Sequence, residues 1–239
     1  RIRMNVLGRP LDLRVSTVPA SGGEKAVLRL LDDRSIRVGL EQLGFLEETL
    51  TLWRSAVASP HGIVLVTGPT GSGKTTTLYA SLQEMDRQRL NISTVEDPVE
   101  YELQGITQIQ AHDKIDMTFA RALRSLLRQD PDVVLVGEIR DLETAGVAIQ
   151  AAMTGHLVLS TLHTNDAPSS ITRLINIGIE PFLVAGAVNG VLAQRLARRV
   201  CGKCAEVSAP TPEETVILGE VGIEASEIPH ARGCSSCRG

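Results

Sequence analysis

The sequence Gly68-Pro69-Thr70-Gly71-Ser72-Gly73-Lys74-Thr75-Thr76 fits the phosphate-binding loop pattern G-x-x-x-x-G-K-[ST] at every fixed position. A short apolar run rich in β-branched residues, 63–67, precedes it, and a helical pattern over 75–85 follows it. A strand, a glycine-rich loop and a helix in this order point backbone N–H groups at a polyphosphate. We therefore predict that this stretch binds the phosphates of a nucleotide, with Lys74 at the β- and γ-phosphates and the Thr75 hydroxyl on Mg²⁺.

The chain has 239 residues and a formal net charge of −4. This length accommodates one large domain or two small ones, and the acidic balance argues against binding of polyanions over the whole surface. The longest apolar run, at 182–193, is too short to span a bilayer and contains Asn189, which indicates a buried helix. Because Arg1 is not a natural start, we expect the chain to be part of a longer protein.

The order of sequence patterns predicts the fold class. Alternating apolar and polar residues over 1–31 indicate antiparallel β-structure. Further along the chain, strand-like runs alternate with helical patterns, which predicts an α/β fold with a mostly parallel sheet between helices. The pattern over Phe182–Arg195 predicts a further helix. Composition predicts four segments: a β-rich segment at 1–31, a linker at 32–40, the main α/β domain at 41–200 and a cysteine-containing element at 201–239.

Carboxylates follow two strands of the predicted sheet, at the end where parallel sheets bind ligands. Glu138 follows the strand at 133–136 and is a candidate for the Mg²⁺ shell, although a Glu after a buried strand is also an ordinary loop residue. Glu96, Asp97 and Glu100 follow the strand at 92–95. A carboxylate here suits the activation of an attacking water, and a solvated acidic loop is the alternative interpretation.

One of the five histidines has a suggestive position. His163 follows the strand predicted at 157–160 and lies where a sensor of the γ-phosphate is expected. Lone histidines are more often core or surface residues, and His61, His112 and His230 have no evident partners that distinguish them from that. The basic residues Arg195, Arg198, Arg199 and Lys203 indicate a solvated helix end.

All four cysteines occur in two C-x-x-C pairs, Cys201 with Cys204 and Cys234 with Cys237. Two pairs of thiolates suit a closed tetrahedral Zn²⁺ site. Disulfides are the alternative, but they are rare in the reducing compartment where a soluble nucleotide hydrolase is expected. We therefore predict a structural zinc ion, since four protein ligands leave no open coordination position.

Five motifs in series resemble those of the secretion ATPase superfamily of bacterial type II secretion and type IV pilus machines. They are GPTGSGKTT, the STVEDPVEY "Asp box", LRQDPDVVLVGEIRDLETA, the TGHLVLSTLHTNDA "His box" and QRLARRVC. The tetracysteine element resembles that of type II secretion assembly ATPases and pilus extension ATPases. Pilus retraction ATPases lack this element, so it narrows the resemblance to the first two groups. Residues 1–31 are similar to the end of the family's second N-terminal domain. The family's first N-terminal domain, which docks on the inner-membrane complex, is not in this chain.

The resemblance implies a RecA-like core and a role for each matching residue. Glu100 matches the general base, Glu138 the Walker B glutamate and His163 the residue near the γ-phosphate. Arg14, in RVST, and Arg29, in LRLLD, match arginines that reach a nucleotide, often that of a neighbouring subunit. A second set of arginines resembles residues that line the same interface, namely Arg121, Arg124 and Arg128.

The function implied is that of a cytoplasmic, Mg²⁺-dependent homo-hexameric ATPase at the inner membrane, which converts ATP to ADP and phosphate and thereby powers assembly of the pseudopilus in type II secretion. Its implied partners are an inner-membrane platform protein and a membrane-anchored docking protein, through which it associates with the membrane. The rival within the family is the type IV pilus extension motor. A nucleic-acid motor with a RecA-like core is a more distant rival; acidic net charge and cysteine pairs without aromatic residues count against nucleic acid as a partner. A chain that only binds nucleotide is a third possibility.

Overall fold

The computed structural model of the protein describes residues 2–6, 9–32 and 38–237. The chain divides into two compact units, one ending at Arg195 and the other beginning at Leu196. The predicted linker at 32–40 falls mainly on residues 33–37, which lie outside the described residues. The boundaries of the four predicted segments stay predictions.

The first unit begins with three strands, β1 (Ile2–Val6), β2 (Arg9–Ala20) and β3 (Gly23–Asp32). They form an antiparallel sheet in the order β1-β2-β3. The antiparallel β-structure predicted for this segment is therefore confirmed. In the register of β2 and β3, Arg14 lies directly opposite Arg29. Directly opposed residues project from the same face of a sheet, so these two arginines share one face.

After β3, α-helices and strands largely alternate along the first unit. In chain order they are α1 (Glu47–Val57), β4 (Gly62–Thr67), α2 (Lys74–Glu84), β5 (Ile92–Glu96), β6 (Thr107–Gln110), α3 (Phe119–Leu126), β7 (Val133–Val136), α4 (Leu142–Met153), β8 (Leu157–Leu162), α5 (Ala167–Ile177), α6 (Pro181–Ala187) and β9 (Val188–Ala193). The short strand β6 was not evident from the sequence, because four residues are too few for a clear period-2 pattern.

The six strands from β4 to β9 form one sheet in the order β6-β5-β7-β8-β4-β9, and every pairing between them is parallel. Helices cover both faces. In β4, Ile63 and Leu65 pack in one apolar cluster with α3, α4, α5 and α6, whereas Val64 and Val66 pack in a second cluster with α1 and α2. This alternation follows from the two-residue period of a strand. The predicted α/β fold with a mostly parallel sheet is confirmed.

The helix predicted over Phe182–Arg195 is wrong beyond its first turns. Helix α6 ends at Ala187, and the chain continues as β9, which pairs in parallel with β4. Gly190 disfavours a helix, by about 1 kcal/mol relative to alanine, and the β-branched Val188 and Val191 favour a strand. Of the basic residues that follow, Arg195, Arg198 and Arg199 lie in irregular chain and Lys203 lies in a turn, so the predicted helix end is also wrong.

The second unit is small and has one short sheet. Strands β10 (Ala205–Ser208) and β11 (Ile228–Ala231) pair antiparallel, and helix α7 (Pro212–Glu220) lies between them in sequence. A capping box begins α7: the Thr211 hydroxyl accepts a hydrogen bond from the Glu214 N–H, and the Glu214 carboxylate accepts one from the Thr211 N–H. Among the described residues of both units, no helix has the length and apolar character needed to cross a membrane.

The end of β4 requires a glycine. Gly68 has a φ of +143°, and a Cβ added there would lie 2.2 Å from the Gln194 carbonyl oxygen and 2.7 Å from Ser72 Oγ. The Gln194 N–H also donates to the Thr67 carbonyl at 2.8 Å, which holds the two chain segments together. The close approach of these backbones leaves no space for a side chain at residue 68.

We expect Gly68→Ala to destabilise the protein more than Gly71→Ala does. Gly71 also has a positive φ, of +80°, but no heavy atom lies within 4 Å of an added Cβ. Both variants carry a left-handed backbone penalty of about 1–2 kcal/mol, and Gly68→Ala adds an overpacking penalty of about 1–3 kcal/mol. Urea unfolding without nucleotide measures the difference. Equal stability of the two variants would contradict the proposed close approach.

Candidate active site

The glycine-rich stretch links the carboxyl end of β4 to the beginning of α2. Gly71 and Gly73 adopt left-handed conformations, with φ of +80° and +89°, and Lys74 is the first residue of α2. The Lys74 ammonium group donates hydrogen bonds to the carbonyl oxygens of Gly68, at 2.8 Å, and Pro69, at 3.1 Å. Burial lowers the pKa of Lys74, and the negative charge of Glu138 opposes that shift. The loop therefore surrounds a partly buried cation.

Ser72 in the same loop carries an unsatisfied polar atom. Its side chain is buried, with 3% relative exposure, and its Oγ has no hydrogen-bond partner among the described residues. A buried hydroxyl without a partner costs about 1–3 kcal/mol. Such a group is retained where a ligand supplies the missing partner. Together with the lysine, this hydroxyl suits the oxygens of a bound phosphate.

Glu138, just after β7, lies at the centre of a small charged cluster. One carboxylate oxygen forms an ion pair with the Arg140 guanidinium, and the other lies 3.2 Å from His163 Nε2. The Glu138 side chain is only 13% exposed, and its charge acts on Lys74. The structure thus brings together Lys74, Glu138 and His163, three residues that the sequence identified as separate candidates.

The loop that carries His163 is fastened to the strand that carries the glycine loop. The Thr67 hydroxyl, at the end of β4, accepts a hydrogen bond from the Thr164 N–H at 2.9 Å and lies 2.7 Å from Thr164 Oγ1. Thr164 Oγ1 lies in turn 2.6 Å from Ser170 Oγ on α5. The sequence did not identify Thr67 and Ser170 as part of this site, because nothing in their local pattern indicates that β4 and β8 are neighbours.

Gln194 is a second residue that the sequence did not identify as part of this site. Its side-chain oxygen accepts a hydrogen bond of 2.7 Å from the Thr77 hydroxyl on α2. Its backbone packs against Gly68, as described above. Gln194 therefore contacts both the loop and the helix that follows it. The QRLARRVC motif begins with this residue.

Glu100 contacts an arginine from the N-terminal sheet of the same chain. The Arg14 guanidinium donates to Glu100 Oε2 at 2.6 Å, and the two side chains are 27% and 33% exposed. Arg29, opposite Arg14 in the sheet, is exposed. The structure therefore joins Arg14 to the candidate base within one chain. The predicted reach of these arginines to a nucleotide of a neighbouring subunit stays a prediction.

The three arginines considered for a subunit interface have local contacts. Arg121 pairs with Asp116, Arg124 donates to Glu143 at 2.5 Å, and Arg128 Nη2 lies 3.5 Å from Ser125 Oγ. Their role at an interface stays a prediction.

The four cysteines converge in the second unit. They are free thiols, and the four sulfur atoms lie within 4.8 Å of one another. The Cys204 and Cys234 sulfurs each lie 3.7 Å from Cys237 Sγ. A tetrahedral zinc site with Zn–S bonds of about 2.3 Å places its sulfurs about 3.8 Å apart, so this donor set fits zinc. Backbone N–H groups at Cys237 and Ser236 lower the pKa of Cys234 to about 7, whereas burial raises the pKa of Cys204 to about 12.

His230 has partners in the structure, contrary to the expectation from sequence. Its Nε2 lies 2.9 Å from the Glu214 carboxylate and its Nδ1 lies 2.8 Å from Ser208 Oγ. The hydrogen bond with His230, followed by those from Thr211, lowers the pKa of Glu214 to about 2. The histidine thereby ties the first turn of α7 to both strands of the small sheet.

The parallel sheet between helices and the glycine-rich loop that links β4 to α2 are features of an α/β protein with a phosphate-binding loop. The whole chain, residues 1–239, matches the family described as Type II/IV secretion system protein. The chain therefore belongs to this family, and the resemblance identified from its motifs is confirmed.

Curated relatives carry the same family names. The Pseudomonas aeruginosa type II secretion system protein HxcR is 57% identical over 231 residues, which are 93% of this chain and 49% of the relative. The type II secretion system protein E of the same organism is 56% identical over 237 residues, 99% of this chain and 47% of the relative. The type II secretion system ATPase E of Vibrio cholerae is 52% identical with the same two coverages. The chain thus spans about half the length of these relatives.

Two solved structures are similar in fold. One is the pilus retraction motor PilT with bound ADP, with a TM-score of 0.70 and 34% identity over 84% of this chain and 60% of that chain. The other is the ATPase DotB of Legionella pneumophila, with a TM-score of 0.66 and 25% identity over 82% of this chain and 57% of that chain.

Proposed function

We propose that the protein hydrolyses ATP to ADP and phosphate and thereby powers assembly of the pseudopilus in type II secretion. The observation that carries this proposal is the convergence of Lys74, Glu138 and His163 beside the loop that holds the unpartnered Ser72 hydroxyl. A cation, a buried donor and a carboxylate at one sheet edge suit a nucleotide triphosphate with its metal ion. The names of the relatives support type II secretion over pilus extension.

Each residue has a proposed task in this reaction. Lys74 would neutralise charge on the β- and γ-phosphates, and the Thr75 hydroxyl would help to hold a Mg²⁺ ion, which would supply further positive charge. Glu138 would help to hold the hydrated Mg²⁺ ion, and His163 would sense the γ-phosphate. Glu100 accepts the proton of the attacking water. In the structure Glu100 is paired with Arg14, so this proton transfer requires that pair to separate or rearrange.

The proposed working form is a homo-hexamer in the cytoplasm, at the inner face of the inner membrane. Hydrolysis there drives closure between the N-terminal sheet and the α/β core, and Arg14 and Arg29 sense the nucleotide from that sheet. A membrane-anchored docking protein holds the ring, and an inner-membrane platform protein receives the motion. PilT, described as a pilus retraction motor, supports a mechanical role for this fold.

We propose that the four cysteines bind one structural zinc ion. Thiolate groups of Cys201, Cys204, Cys234 and Cys237 would hold it, and their sulfur spacing fits a tetrahedral site. The ion would link the two C-x-x-C knuckles, one of which precedes β10 in the sequence and the other of which follows β11. It would stabilise the second unit, in which none of the described residues is buried.

Removal of the proposed phosphate contact and of the proposed base should have different effects. Lys74→Ala should weaken ATP binding about tenfold or more, because a hydrogen bond to a charged group contributes about 1.5–3 kcal/mol. Glu100→Gln should leave binding intact and lower turnover by about 10²- to 10⁴-fold. Calorimetry measures the binding, and phosphate release measures the turnover.

Glu84→Gln is the matched control for Glu100→Gln. Glu84 is also a carboxylate paired with an arginine, Arg54, but it lies at the far end of α2 from the loop. We expect parental turnover for this variant. A Glu100→Gln variant that also turned over at the parental rate would show that another group is the base.

Metal analysis tests the zinc proposal. Protein purified without chelator should contain about one zinc per chain, with all thiols reduced. Cys201→Ser or Cys234→Ser should release the ion and leave ATP binding at Lys74 largely unchanged. Ser236→Ala, a control in the second knuckle, should retain it. Two intramolecular disulfides and no metal would overturn the proposal.

A mixing experiment tests whether subunits share active sites. Arg29→Ala and Glu100→Gln subunits should each be inactive alone, because each lacks one proposed catalytic group. If Arg29 acts on the nucleotide of a neighbour, mixed rings contain some sites with both groups intact, and activity is partly restored. Arg29 is a better probe than Arg14, which contacts Glu100 of its own chain.

The mixed rings must be verified before activity is measured. Native mass spectrometry of differently tagged subunits identifies rings that contain both variants. Absence of recovered activity in such rings would mean that Arg29 acts within its own chain or has no catalytic role.

A further inference from the structure

Glu96 is the first residue of the acidic turn, residues 96–100, that ends with Glu100. Its side chain is buried in the protein. It is 3% exposed. One carboxylate oxygen accepts hydrogen bonds from Thr94 Oγ1, at 2.6 Å, and from Gln108 Nε2, at 3.1 Å, and the other accepts one from the Tyr79 hydroxyl. A carboxylate is tolerated in the interior only when donors satisfy it in this way. Glu96 is thus committed to internal contacts and does not face an attacking water.

Tyr79 connects this buried carboxylate to the main chain of the proposed base. The tyrosine is fully buried on α2, the helix that begins with Lys74. The Tyr79 hydroxyl donates a hydrogen bond to the Glu96 carboxylate. The backbone N–H of Glu100 donates a hydrogen bond to the Tyr79 hydroxyl oxygen. Burial and the charge of Glu96 both raise the pKa of Tyr79, so the phenol keeps its proton. Helix α2 therefore carries Lys74 and, through Tyr79, also contacts the backbone of Glu100.

Gln108, on β6, fixes the other side of the turn. Its amide nitrogen donates to the Tyr101 carbonyl at 3.2 Å, and its amide oxygen accepts from the Leu103 N–H at 2.6 Å. The ring of Tyr101 packs edge-on against that of Tyr79, with centroids 4.7 Å apart. Hydrogen bonds therefore fix the chain before Glu100, at Glu96, and after it, at Tyr101 and Leu103. After Glu100, the bonded atoms belong to the backbone.

We propose that Tyr79 and Gln108 are positioning residues for the catalytic action of Glu100, and that Glu96 is the buried anchor to which both are bonded. This inference rests on the proposed role of Glu100 as general base. A carboxylate activates water only from a narrow range of positions. Tyr79 and Lys74 both belong to α2, so the tyrosine sets the position of Glu100 relative to that lysine.

A double-variant experiment tests this inference. Tyr79→Phe removes only the hydroxyl oxygen, so we expect kcat to fall about 10- to 100-fold, as for a displaced catalytic group, while the KM for ATP stays within about threefold. In the Glu100→Gln background, the same change should alter the remaining turnover by less than about twofold. A purely structural defect would lower turnover equally in both backgrounds.

Ser81→Ala is the matched control on the same helix. Ser81 is also buried, and its hydroxyl accepts a hydrogen bond from Trp53 Nε1 at 2.9 Å, away from the acidic turn. This variant should lower the melting temperature and keep the parental kcat. Gln108→Met is the second test variant if Tyr79→Phe does not fold. It should give the same loss of kcat, again without effect in the Glu100→Gln background.

The outcomes separate this inference from the proposed function. If Glu100→Gln turns over at the parental rate, both the base assignment and the positioning role are overturned. If Glu100→Gln is slow, but Tyr79→Phe and Gln108→Met keep the parental kcat, only the positioning role is overturned. Equal loss of turnover in both backgrounds contradicts it as well. Loss confined to chains with an intact Glu100 supports it.

Discussion

The parallel alignment of β4, β5, β7 and β8 is the constraint on which the site depends. Parallel strands end at the same edge of a sheet, so the segments that follow them meet there whatever their separation in sequence. In this protein those segments carry Lys74 after β4, Glu100 after β5, Glu138 after β7 and His163 after β8. Helices cover both faces of the sheet, so this edge is the surface that we propose for ligand binding.

Buried polar contacts hold that edge in one arrangement. Thr67 joins the ends of β4 and β8, Gln194 joins α2 to the end of β9, and Tyr79 joins α2 to the acidic turn. Hydrogen bonds of buried groups are costly to leave unmade, so each loop has a strongly preferred position. Ser72 departs from this pattern among the described residues, since its buried hydroxyl has no partner. We attribute that to the phosphate that the loop is proposed to bind.

Sequence patterns predicted the parts of this architecture that depend on local chemistry. The glycine loop, the β-branched runs and the C-x-x-C pairs each have a pattern that a few neighbouring residues define. The strand β9 was missed because its conformation depends on pairing with β4, more than a hundred residues earlier in the chain. The contacts of Arg14 with Glu100, 86 residues apart, and of His230 with Glu214 also arise from the tertiary fold. No spacing rule indicates them.

The central claim is that the glycine loop binds a nucleotide triphosphate beside Glu138 and His163. A crystal structure with Mg²⁺ and a non-hydrolysable ATP analogue tests it most directly. The account predicts that the Lys74 ammonium group leaves the carbonyl oxygens of Gly68 and Pro69 for the β- and γ-phosphates, and that the Ser72 hydroxyl gains a partner there. An analogue bound away from this loop, with the Lys74 contacts unchanged, would contradict it.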